Sequence, residues 1–282
     1  MAGPDFAAEA ANLRDQYALV EQMLLVRVSA RLAKGIDQVG WTEAKLAETA
    51  AMRLEVQRTL AQASGLQVQM QHLITSAFTK GAQDAAIQVG KPGVIVAQLT
   101  RTNVEAIRVL TAATARDFSQ ASGAILRNSM DVYRKVIAES TQQVVAGQAT
   151  RLQATQTALD RFASQGITGF IDKAGRNWTM ESYAEMATRT ATTNAFKDAK
   201  MQTFQDAEIH EFLVSQTGNP CDACDPWEGE VVQDDESEMD YPTISEMEDT
   251  GWGHPNCGHT LDAFTPGTED ILQEAGAMNA ED

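Results

Sequence analysis

No lysine or arginine follows Lys200 in this 282-residue chain. All 22 basic side chains and 18 of the 39 acids lie in the first 200 residues, a net charge of +4, whereas the rest carries 21 acids, a net charge of −21. A segment of that sign is repelled by a phosphate backbone, which excludes sequence-specific nucleic-acid binding by the C-terminal part. Aromatic residues are scarce, at 6%, which suits helices packed through small side chains better than a large aromatic-rich enzyme core. No stretch approaches the ~20 continuous apolar residues of a membrane span. The N-terminal stretch from Met1 to Asp15 lacks a basic segment followed by an apolar one, so it is not a secretory signal, and the chain is expected to be made and kept in a cytoplasm. Cysteines number three, an odd count with no export signal, so a disulfide framework is not expected. Of seven prolines none falls between Pro92 and Pro220, and that gap leaves room for very long helices.

The helical pattern is clear. Phe6, Ala10, Leu13, Tyr17, Val20 and Leu24 recur at steps of four and three, which predicts a first helix over 5–34. Gly35 and Gly40 mark a break. Thr42 stands where an N-cap belongs, with Lys45 where a capping box would want Glu, and helices are predicted over 43–63 and 66–89. Gly90 to Gly93 reads as a turn. From Val94 to Gln165 the pattern is helical again, through Val104, Ile107, Phe118, Ile125, Val132 and Val136, with Gly123 and Gly147 as possible interruptions. A plain helical bundle and an assembly rod fit this half equally well.

After a connector with Gly166, Gly169 and Gly175, a further helix is predicted from Thr179 or Ser182 to about Gln205, with Ser182 and Glu185 spaced as a capping box. Then the texture changes. Glu208–Ser215, Gly229–Gln233 and His259–Phe264 read as strands between turns rich in Pro, Gly, Asp and Asn. The fold class is therefore α+β: long N-terminal helices, as bundle or rod, followed by a small C-terminal α+β module.

Two short pieces carry the chemistry. Cys221 and Cys224 form a C-x-x-C turn; His254, Cys257 and His259 form the second piece. A C-x-x-C turn converges two thiolates on one tetrahedral ion, and the second piece supplies a third thiolate and a choice of imidazoles, so the expected cofactor is a structural Zn²⁺. Cys221, Cys224 and Cys257 are the expected ligands, with His259 or His254 as the fourth. The bland alternative is three buried free thiols and two surface histidines. The acidic segment 225–250 is expected to loop out between the halves. Pro220-Cys221-x-x-Cys224 also matches half of a zinc deaminase signature, but His210 and Glu211 are adjacent rather than spaced by one and lie too close to the cysteines. Glu228 and Glu230 form an E-x-E pattern known from transferases, weak within an acidic run. His72 and His210 are read as structural.

The run from Phe170 through Asp172, Ala174-Gly175-Arg176, Trp178, Ser182-Tyr183-Ala184-Glu185 to Arg189-Thr190 resembles the signature of the phage minor capsid protein 2 family. Trp227-Glu228-Gly229-Glu230-Val231 resembles the family's W-x-G-x-V segment, and Asn256-Cys257-Gly258-His259 with Phe264-Thr265-Pro266-Gly267 resembles its ending. The cysteine and His-Pro-Asn-Cys arrangement is also similar to the head-morphogenesis group typified by the phage Mu F protein, with His259 in place of a last cysteine. The resemblance implies an elongated helical region over 1–165, a minor-head-protein domain over 166–267 and an acidic tail over 268–282. It implies a non-enzymatic minor capsid protein of a tailed bacteriophage, in the virion at the head interior or portal vertex and in the host cytoplasm during assembly. Portal protein, major capsid protein or further copies of the chain, met through the long helices, are the implied partners, near packaged DNA and with no membrane. A toxin domain, which some relatives carry after this module, is not expected. The alternatives are an assembly or scaffold-like factor absent from the mature virion, and a zinc-dependent deaminase or transferase.

Overall fold

The computed structural model describes residues 6–265, apart from 63, 91–101, 166–168, 173–174, 236, 238 and 256. The expected turn at residues 91–93, the start of the long helix at Val94, the connector residue Gly166, and the tail over 268–282 lie outside the described residues. Among the described residues the helices α1 Ala7–Ala33, α2 Trp41–Ala47, α3 Thr49–Gln62, α4 Ser64–Gln88, α5 Thr102–Val145 and α6 Arg151–Gln165 come first. They are followed by β1 Phe170–Ile171, β2 Asn177–Trp178, α7 Met180–Asp206, β3 Glu211–Val214, a 3₁₀ turn Asp225–Trp227, β4 Val231–Gln233, α8 Ile244–Asp249 and β5 Leu261–Ala263. The class is α+β, mostly helical with two small sheets among the described residues. No described helix is long and apolar enough to cross a membrane.

The chain divides into two compact units, one made of Ala10–Gln69 and Thr114–Glu185, the other of Met1–Glu9, Met70–Ala113 and Met186–Asp282. In the first, α1 buries Leu13, Tyr17, Val20, Leu24 and Val28 on the face that their spacing marks out. Trp41 is 2% exposed; its Nε1 donates to the carbonyl of Leu32 at 3.0 Å, and the Arg151 guanidinium stacks 5.5 Å from its ring centre. The predicted helix over 43–63 is two helices. The first begins at Trp41 after Gly40, whose φ of 79° ends the preceding turn. Thr42 is thus inside the helix, and its hydroxyl bonds that of Thr141 at 2.9 Å instead of capping. The long helical stretch breaks at Gly147 (φ 67°) and not at Gly123.

The family-like run opens with two short strands, β1 and β2, paired as a hairpin, where a plain connector was expected. β1 pairs antiparallel with β2, Phe170 opposite Trp178. The Asp172 carboxylate accepts from the Arg176 backbone N–H at 2.9 Å, from Arg176 Nε at 2.7 Å and from Trp178 Nε1 at 2.9 Å. Those donors, Trp178 foremost, bring its carboxyl down to about 2. Tyr183 meets Phe170, Trp178 and Phe118 edge-on. The box that starts α7 is made by Thr179 and Ser182: the Ser182 N–H donates to Thr179 Oγ1 at 3.2 Å and the Thr179 N–H to Ser182 Oγ at 3.0 Å. Glu185, expected in that box, instead faces Arg14 at 3.5 Å.

The other unit holds the module. The three predicted strands form one antiparallel sheet in the order β4-β3-β5, with Phe212 opposite Val232 and Ala263. Strand alternation splits their side chains. Phe212, Val214, Val232 and Leu261 join Phe204, Met247 and Trp252 in one core, while Leu213, Val231 and Phe264 form a second. The segment 225–250 does not loop out. It supplies the 3₁₀ turn, the edge strand β4 and α8, whose Thr243–Glu246 capping box starts the helix that delivers Met247 to the core. A module this small has too few apolar residues to discard that stretch.

Candidate metal centre

Local geometry makes both halves of the Cys/His site. The Cys221 carbonyl accepts from the N–H groups of Cys224 and Asp225, each at 2.9 Å, closing a tight knuckle that turns both thiols the same way. The second piece leaves α8 through Gly251 (φ 99°) and Gly253 (φ 78°), and the Cys257 N–H bonds the His254 carbonyl at 2.9 Å. Pairing of β3 with β5 clips the halves together: the Ser215 N–H donates to the Thr260 carbonyl at 2.9 Å and the Thr260 N–H to Ser215 Oγ at 2.8 Å.

All five predicted site residues meet in one place, as two triads that share Cys224. Cys221, Cys224 and His254 have their donor atoms within 4.8 Å of one another, and so do Cys224, Cys257 and His259. The second triad is buried, with Cys257 5% and His259 3% exposed. Cys224 and Cys257 have sulfurs 3.9 Å apart, and Cys257 Sγ lies 3.5 Å from His259 Nδ1. Tetrahedral zinc, with bonds near 2.3 Å to sulfur and 2.0 Å to nitrogen, asks for edges of about 3.8 Å and about 3.5 Å. The donor set and spacing therefore fit a zinc-like ion.

Three residues outside the predicted set support the cluster. Glu228 Oε1 lies 2.7 Å from His259 Nε2 and accepts from the backbone N–H and hydroxyl of Thr217 at 2.7 and 2.6 Å. This places a proton on Nε2 and makes Nδ1 the nitrogen that faces the thiols, where it can either hydrogen-bond Cys257 or bind an ion. The Lys197 ammonium of α7 lies 4.5 Å from the Trp252 ring centre, and its charge acts on Cys257. Sequence signals for these were faint: Glu228 shows only as half of an E-x-E pair, Thr217 has no motif, and Lys197 is one helical lysine among several.

The thiols are graded. Burial pushes Cys224 up to about 12, and neighbouring Cys257 adds to this. Burial acts the same way on Cys257, but the hydrogen bond from His259 and the Lys197 charge outweigh it and bring that thiol down to about 6. Cys221 comes down to about 7, chiefly through the Ala223 backbone N–H. A low thiol pKa favours the thiolate that a metal binds. His259 is raised by its bond to Cys257 foremost, His254 by the Pro255 carbonyl.

The upstream pair of the deaminase-like signature, His210 and Glu211, is not part of the cluster. His210 Nδ1 pairs with Asp234 at 3.1 Å, Glu211 accepts from Ser237 Oγ at 2.6 Å, and neither joins the metal-competent groups among the described residues. His72 is exposed on α4.

The structural protein of Lactococcus phage LL-H is 31% identical to this chain over 153 residues, 49% of this chain and 40% of that protein. The match thus spans well under two thirds of that relative's length. No solved structure matches the chain. A family model described as phage minor capsid protein 2 matches residues 5–282. With nearly the whole sequence matched, the chain belongs to the phage minor capsid protein 2 family.

Proposed function

We propose that this chain is a non-enzymatic structural component of a tailed-phage head, carried in the virion at the portal vertex or on the inner capsid and acting in head assembly, DNA packaging or ejection. Family membership across residues 5–282 is the observation that carries this reading. In it, the helical region 1–165 meets portal protein, major capsid protein or further copies of the chain. The module over 166–267 is held shut by a structural Zn²⁺ at Cys221, Cys224 and Cys257 with a histidine, and the acidic tail 268–282 follows. The absence of Lys and Arg after Lys200 favours a protein partner over packaged DNA for that part of the module. A catalytic zinc keeps an open position for water or substrate; the burial of Cys224, Cys257 and His259 supports a structural role.

Cross-linking in assembling and mature heads tests the proposal. Links from α1–α6 to the portal or inner shell in mature heads are expected. Links only in precursor heads, with none in mature ones, would favour the scaffold-like reading. For the zinc-enzyme reading, Glu211→Gln and Glu230→Gln are the probes: a loss of infectivity in particles that assemble normally would favour it.

A further inference from the structure

The two triads of the cluster are not equivalent. In the buried one, Cys224–Cys257 at 3.9 Å and Cys257–His259 at 3.5 Å already stand at tetrahedral spacing. Behind it, Glu228 orients His259, and Thr217 holds Glu228 with two hydrogen bonds. In the outer pair, Cys221 is exposed and its sulfur lies 3.0 Å from His254 Nε2, closer than two ligands of one ion stand and at hydrogen-bond distance. His254 is nevertheless wired as a ligand: its Nδ1 bonds the Pro255 carbonyl at 2.9 Å, which fixes the proton there and leaves Nε2 toward the sulfur. Five donors thus gather around the shared Cys224, the outer two grouped with it and not within the 4.8 Å set of the buried triad, so an outer donor reaches the fourth position of an ion held there by a small side-chain movement.

We infer that Cys224, Cys257 and His259, backed by Glu228, are the fixed anchor of the metal site, and that Cys221 and His254 are interchangeable donors for its fourth position. This rests on the zinc reading above. The ion sits on the protected side of the knuckle, and the solvent-facing position tolerates loss of either outer donor. An exposed thiolate is also the one that oxidants and alkylating agents reach first, so the exchange lets the module keep its ion when Cys221 is modified. Glu228 is a positioning residue, since it acts through His259.

The test uses the full chain, zinc content by elemental analysis, chelator competition, and absorption of the cobalt-substituted protein. Cys221→Ser and His254→Ala each should keep the metal with affinity within about tenfold of wild type, and the double variant should lose it. Sulfur-to-cobalt charge-transfer absorption should fall by about one third in Cys221→Ser, as three thiolates become two, and stay unchanged in His254→Ala. Glu228→Ala should weaken binding by about 10–100-fold, with Glu228→Gln recovering part of the loss because an amide oxygen still accepts from Nε2. Cys257→Ser should abolish binding. That variant can also unfold the module, so the two outer single variants decide the matter. Wild type without metal overturns both the zinc reading and this inference. Metal-loaded wild type in which Cys221→Ser loses the ion as completely as Cys257→Ser leaves zinc standing and overturns the exchange.

Discussion

Lys200 sits between two carboxylates, 2.8 Å from Asp84 and 2.5 Å from Asp262, with its side chain 2% exposed. Phe196 and Phe204 flank the ammonium. Taking away one member of a buried pair leaves the other charge uncompensated, and Lys200→Met is expected to cost about 3 kcal/mol, the low end of the usual range because Asp84 reaches solvent. The same contact sets a pH dependence. Burial pushes the Asp262 carboxyl up, but Lys200 outweighs it and the net shift is downward. A carboxyl lowered on folding stabilises the fold above its unfolded value, near pH 4, and that contribution is lost as pH falls through the folded value. Urea titrations should therefore show stability dropping with acid below about pH 4, with a shallower slope in Lys200→Met; equal slopes in both proteins would remove Asp262 from the account. None of this triad was legible in the sequence. Its members lie on α4, α7 and β5, and no periodicity links positions so far apart. Cys221, Cys224, His254, Cys257 and His259 were legible because short turns keep each half of the cluster local. Glu228 and Lys197 were not, since their roles exist only once β3 pairs with β5.

At the level of elements, Gly81 shows what a single missing methyl group allows. A Cβ built there would stand 2.2 Å from the Phe196 carbonyl oxygen, so α4 and α7 touch backbone to side-chain-free backbone. Gly81→Ala improves helix propensity on paper, yet the neighbour is a carbonyl that cannot swing aside. A loss of about 1–3 kcal/mol is expected, seen as a lower melting temperature, whereas a neutral or stabilising result would deny the close approach. Helices were legible where apolar residues recur with period 3.6, as along α1. Breaks were less so. Gly147 interrupts the long stretch because the chain there takes a positive φ, while Gly123 stays inside α5 with open space around it but for Arg127 Nη1 at 3.7 Å. Of the two expected starts of α7, Thr179 prevails over the Ser182–Glu185 box because Thr179 and Ser182 satisfy each other's N–H groups and Glu185 is drawn to Arg14. The hairpin β1–β2 is two residues per strand, too short for alternation to register; its order comes from Asp172 and the Tyr183 ring cluster. The same limit hid α8, six residues long, in an acidic stretch that reads as loop.

For the whole molecule, composition and motif speak to different questions. Charge separates the chain at Lys200, with every basic residue at or before it, and family membership extends over both compact units. The proposed metal site would help the module close around β3–β5; it does not by itself say where the protein works. A role in the virion is proposed from kinship with a phage structural protein, and the part of the module after Lys200, with no Lys or Arg to offer a phosphate, is consistent with meeting protein rather than gripping DNA. The most direct test is quantitative mass spectrometry of gradient-purified mature particles of the phage that encodes this chain. The account predicts the chain in those particles in a low, fixed ratio to the major capsid protein. Its absence from mature particles that assemble in its presence would contradict the claim that it is a structural part of the virion.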